Sequence, residues 1–197
     1  MKKLILLGGF ISIALSSFSQ KEVLYKFEKE RVGITKKSML VLAGWSAANL
    51  LVSGIATKTH NKEMRYFHQM NVQWGAINLA FAGLGYWGAG MEKIDNPTLL
   101  AVLKHQSKSE KTYIFNTGLD VAYIAAGLYM TERSKSRTDP AKLKGYGNSI
   151  MMQGGFLLLY DAVNYFIHHK HGKKLDGLVE KLELSGGPGS VSLAYHF

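Results

Sequence analysis

The 197-residue sequence has no cysteine and only three prolines. Without thiols the chain forms no disulfide, no thiolate nucleophile and no Cys-based metal site. Acidic residues are scarce too: 14 Asp and Glu stand against 24 Lys and Arg, a formal net charge of +10. There is no glycine-rich phosphate loop, no His-Glu helix motif and no nucleophile elbow, so the common signatures of soluble enzymes are missing. These absences argue against soluble enzymology, with a membrane-embedded enzyme ranked third among the readings, and no cofactor is expected.

Mean hydropathy is −0.02, close to that of an ordinary soluble protein. The apolar residues, however, are clustered. Four long runs, at residues 39–57, 70–91, 113–130 and 147–168, contain no Lys, Arg or Pro. Each is near the roughly 20 residues needed to cross a hydrocarbon core of about 30 Å. Their glycines would weaken a helix in water but let membrane helices approach closely. The connectors between them are polar and hold most of the positive charge, where anionic lipid headgroups are a simpler counter-ion than nucleic acid. The expected fold is therefore all-α, a bundle of four transmembrane helices over 38–168 with a lipid bilayer as its surroundings. A soluble bundle of buried helices is the rival reading.

The flanks have their own patterns. Residues 1–19 read as a signal peptide, with Lys2 and Lys3, an apolar stretch, and Ser17 and Ser19 before Gln20. An uncleaved anchor is the alternative. Residues 20–37 are densely charged, with Val23, Leu24 and Phe27 on one thin apolar face, as in a surface segment. After His168, residues 169–197 form a basic collar containing His169 and His171. A tail follows whose alternation around Gly186, Gly187, Pro188 and Gly189 is a hairpin signal, ending at Phe197. His168, His169 and His171 lie close enough in sequence to share an ion. Neighbouring lysines oppose a cation there, so a solvated collar is expected and no metal site.

A seam of small and polar residues, spaced alternately by four and three, recurs in every run. It comprises Ser46, Asn49 and Ser53; then Asn71, Gly75, Asn78 and Ala82; then Asn116, Asp120, Tyr123 and Gly127; then Gly154, Leu157, Asp161, Asn164 and His168. A period of 3.5 puts each seam on one helix face, which must point inward because lipid offers an amide or carboxyl no partner. Asn49, Asn78, Asp120 and Asp161 are then expected to meet at a common depth. Trp45, Asn49, Leu50 and Gly54 recur with the same spacing as Trp74, Asn78, Leu79 and Gly83, which would bring Asn49 and Asn78 together on antiparallel neighbours.

The runs Met39-Leu-Val-Leu-Ala-Gly-Trp-Ser-Ala-Ala-Asn49, Phe67-His-Gln-Met-Asn71 with Trp74 and Asn78, Phe115-Asn-Thr-Gly-Leu-Asp120-Val-Ala-Tyr123, and Gln153-Gly-Gly-Phe with Asp161 resemble a family of bacterial membrane proteins catalogued as a domain of unknown function. The resemblance spans residues 31–166. It implies four spans and no activity.

Two functional readings fit the seam. In one, the polar groups are interhelical staples in a structural or partner-binding membrane module, joined to copies of itself or to a larger membrane protein. In the other, Asp120 and Asp161, with no basic residue in any run to pair them, stay protonated or hold a cation. They would then serve a proton- or cation-coupled transporter or channel subunit, with Asn49, Asn78, Asn116, Tyr123 and Asn164 as neutral ligands. The expected location is a bacterial inner membrane with an exported N-terminus, with outer-membrane association as the alternative.

Overall fold

A computed structural model describes the backbone of residues 2–179, 182–187 and 190–195, and the side chains of residues 21–179. The signal-peptide serines, the turn at Pro188 and Gly189, and Phe197 lie outside the described side chains.

With no proline inside any apolar run, nothing interrupts the helices, and each outlasts the run that predicted it. They are α1 (Lys2–Ala56), α2 (Lys62–Met91), α3 (Leu99–Ser134) and α4 (Ala141–Gly172). A 3-10 turn (Lys173–Leu175), a single helical turn α5 (Asp176–Val179) and two strands, β1 (Leu182–Gly187) and β2 (Ser190–Tyr195), follow. The strands pair antiparallel, with Leu182 opposite Tyr195.

The helix starts are encoded locally. Asn61 caps α2 by accepting a hydrogen bond from the Met64 N–H at 3.1 Å, and Thr98 caps α3 by accepting from Ala101 at 3.3 Å. Between α2 and α3 the chain reverses through Asn96, at φ 49°, a left-handed conformation that asparagine tolerates well.

Glycines set which helices touch. A Cβ on Gly127 of α3 would lie 2.6 Å from the Gly147 carbonyl of α4, so this pair joins backbone to backbone. Gly145 brings α4 against the Glu63 carbonyl and the Phe67 amide of α2, and Gly75 brings α2 against Ser46 and Leu50 of α1. The backbones of α1 and α2, α2 and α4, and α3 and α4 pack along their lengths, whereas those of α2 and α3 barely approach.

The interior is inverted relative to a water-soluble bundle. More polar and charged side chains than hydrophobic ones are buried, among them Ser46, Gln153 and His168 at 0% exposure. Large hydrophobics face outward instead, including Leu51, Ile55, Phe81, Phe115, Leu159 and Phe166, all above 60% exposed. By length and composition two helical stretches among the described residues, Lys21–Ala56 and Ala141–Val179, are apolar enough to cross a membrane. In α2 the apolar density is diluted by Asn71, Gln73, Asn78 and the glycines; α3 carries a charged first third.

The charged stretch after residue 20 is corrected by the structure. It is continuous with the helix that follows, and Leu24, Phe27, Glu28, Arg31 and Val32 are buried. Leu24 and Phe27 pack with Val102 of α3 and Leu175 of the 3-10 turn, a second small core in which each side chain contributes about 2 kcal/mol. Leu99, Leu100, Val102 and Leu103, between the second and third apolar runs, form the first turns of α3.

Candidate functional site

Polar side chains gather in two regions at mid-height, and they differ in how completely they are bonded. The first is centred on Gln153 of α4. Its carbonyl accepts the Trp45 indole N–H at 2.9 Å, and its amide donates to the Oδ1 atoms of Asn49 and Asn71, both at 2.9 Å. Ser149 donates to the same Asn71 oxygen at 2.6 Å, and the Asn49 amide donates to the Trp45 carbonyl at 2.8 Å. Trp45 also stacks on Phe156, ring centroids 4.0 Å apart. About three turns further along α4, Asn164 accepts from Ser38 and donates to the Tyr160 carbonyl at 2.7 Å. This region ties α1, α2 and α4 together.

The second region is a cleft of about 960 Å³ on the side where α2 and α3 fail to pack. Trp74, Asn78 and Phe81 of α2 form one wall; Asn116, Asp120 and Tyr123 of α3 form the other. Leu157, Tyr160 and Asp161 of α4 close the back. Trp74 meets Tyr123 edge to face across the gap at 5.1 Å. Asp120 and Asp161 line this cleft and are 2% and 4% exposed. Three buried polar atoms on these walls have no protein partner: Asn78 Nδ2, Asp120 Oδ2 and the Tyr160 hydroxyl. Two carboxylates buried on adjoining walls of one cleft repel each other when both are ionised.

At the end of the cleft nearest residue 92 lies an ion cluster that composition alone did not reveal. Glu28, Glu92 and His105 bring potential ligand atoms within 4.8 Å of one another. Arg31 occupies the centre, its guanidinium 2.8 Å from Glu28 and 2.7 Å from Glu92, with His105 3.1 Å from Glu28. Burial opposes the Arg31 charge, but the hydrogen bonds to Glu28 and Glu92 prevail and hold its proton more firmly than usual. The resident cation makes this an ion-pair clamp between α1, α3 and the loop after α2, and disfavours a metal there.

The seam residues divide between the two regions. Asn78, Asn116, Asp120, Tyr123 and Asp161 line the cleft, whereas Asn49 and Asn164 belong to the bonded region. The single meeting point of Asn49, Asn78, Asp120 and Asp161 is therefore corrected, as is the pairing of the two asparagines. Asn49 turns to Gln153, because Gly75 sets the register of α2 against Ser46 and Leu50. The histidine collar is corrected as well. His169 is exposed, but His168 is buried against Tyr113 with both ring nitrogens unpartnered, and His171 is buried on Phe27, its Nε2–H donating to the Phe27 carbonyl at 3.1 Å. Burial, with Lys174 and Arg31 nearby, pushes the His171 proton affinity down. The inward face of α4 simply continues its spacing from Asp161 through Asn164 and His168 to His171. Gln153 lies one residue before the seam position Gly154, and the spacing of the seam does not include it.

The fold is an all-helical bundle in which one helix pair is held apart over an acidic, aromatic-lined cleft. The chain belongs to a family of unknown function (DUF6992), whose model matches residues 41–162. The match takes in the cleft walls and the Gln153 region and stops short of the ion clamp's Glu28 and Arg31. No curated protein and no solved structure matches the chain.

Proposed function

We propose that this protein is an integral membrane binding module: four spans whose bonded side is structural and whose open side receives a ligand or partner. Its seat on this reading is a bacterial inner membrane, with the end that carries Arg31 and Glu92 outward. The observation that carries the reading is the inversion itself. A water-soluble bundle would not bury Gln153, Asn71 and Asp120 while exposing Phe81, Phe115 and Phe166. In hydrocarbon the same distribution is favourable, because each inward amide has no alternative partner in the lipid. The glycine joints and polar seam are the packing devices of membrane helices, and the missing contact between α2 and α3 leaves a lateral opening toward the bilayer.

The test is extraction of the full chain expressed in bacteria. It is expected to remain with membranes in alkaline carbonate and to leave them only in detergent. Recovery in the carbonate supernatant as a monodisperse helical species would overturn the reading.

A further inference from the structure

We propose that the cleft between α2 and α3 binds an amphipathic organic cation, a protonated amine carried on an apolar, preferably aromatic, body. This deepens the reading of the open side as a binding site and rests on it. Three features of the cleft converge on that chemistry.

The first is charge. Asp120 and Asp161 are each more than nine-tenths buried, and Asp120 Oδ2 has no partner from the protein. Asn78 Nδ2 and the Tyr160 hydroxyl are also unpartnered on the adjoining walls. An ammonium group supplies donors for carboxylate and hydroxyl oxygens and neutralises the pair. The amide of Asn78 presents either its oxygen or its nitrogen by a simple flip. No fixed positive charge competes at this depth. The basic residues lining the cleft are Arg31, His105 and Lys108, all toward its end. Lys108 is twelve residues before Asp120 on α3, about 18 Å at 1.5 Å per residue. Arg31 is already committed to Glu28 and Glu92. An anionic amphiphile would meet the carboxylates and find no free cation among these buried groups.

The second feature is size. A cleft of about 960 Å³ is at the upper end of the range that encloses drug-sized ligands, far beyond a bare ion. The third is the lining. Trp74, Phe81, Tyr113, Tyr123 and Tyr160 surround the carboxylates with aromatic surface, which attracts a cation through the ring face and an apolar body through contact area. Phe115 and Leu84, outward on the helices that flank the opening, continue this surface toward the lipid side, the route by which an amphipathic body would enter.

The experiment compares 1-naphthylmethylamine with its neutral counterpart 1-naphthylmethanol by isothermal titration of the full chain purified in detergent. Saturable binding is expected, with the amine at least tenfold tighter than the alcohol. The double variant Asp120→Asn, Asp161→Asn is expected to bind both equally, while Asp161→Glu keeps the preference. If the double variant fails to fold, Asp120→Asn alone decides, with a tenfold loss expected for the amine and none for the alcohol. Equal binding of both compounds to the native protein, or a preference that survives loss of the carboxylates, overturns the assignment of a cation. Binding of neither overturns the site itself. All of these outcomes are independent of whether carbonate extracts the chain, so failure here is distinguishable from failure of the membrane reading.

Discussion

Asn49 and Asn78 occupy the same place in the recurring Trp, Asn, Leu, Gly pattern, yet their surroundings have opposite character. Trp45 and Asn49 are fully bonded to Gln153, whereas Trp74 faces Tyr123 across a gap and the amide nitrogen of Asn78 bonds to nothing in the protein. The side chain is identical and so is its spacing. What differs is the neighbour: α4 offers α1 a glutamine at the right height, while α3 stands away from α2. A bonded buried amide stabilises the fold, and an unbonded one costs stability until something else bonds to it.

The contrast can be broken most forcefully at the joints. Gly127→Val would drive its side chain into the Gly147 carbonyl and is expected to cost about 3 kcal/mol in reversible unfolding from detergent micelles. Gly118→Val, on the same helix with nothing within 4 Å, is the matched control and should unfold like the native chain. Next in size is Gln153→Met, which keeps the volume but strands Trp45, Asn49 and Asn71. A loss of about 2 kcal/mol is expected in the same assay, and a neutral outcome would show that the network is not what joins α1, α2 and α4. The smallest effect belongs to the open side. Asn78→Leu removes an unbonded amide and is expected to change stability by less than about 0.5 kcal/mol in either direction. A loss as large as that of Gln153→Met would mean that the two regions do the same job.

Much of this organisation was written in the spacing of residues. The four helices follow from uninterrupted apolar runs, and Ser46, Asn71, Gly75, Asp120, Gly154 and Asp161 are buried as their 3.5-residue period requires. A helical period states which face turns inward but not which neighbour it meets, so the division of the seam between two regions was out of reach. Close approach is decided by a few glycines, and although the seam sets Gly127 apart from Gly118, it does not say which helix Gly127 will meet. The clamp of Glu28, Arg31, Glu92 and His105 was hidden for another reason. Alternating charge in a helix reads as a solvated face, and only the docking of Leu24 and Phe27 onto Val102 and Leu175 carries Glu28 and Arg31 inside. His168 is buried as its seam position required, whereas His171 was misread because basic neighbours suggested solvent, although the same helical register turned it inward.

The backbone of α3 leans on α4 and hardly at all on α2, and that asymmetry has a mechanical consequence. The Gln153 network joins α1, α2 and α4, whereas α3 can tilt about its glycine joint to α4 with few bonds to α2 to break. Compliance is thus confined to one direction, and it is the direction in which the opening would have to adjust to guests of unequal girth.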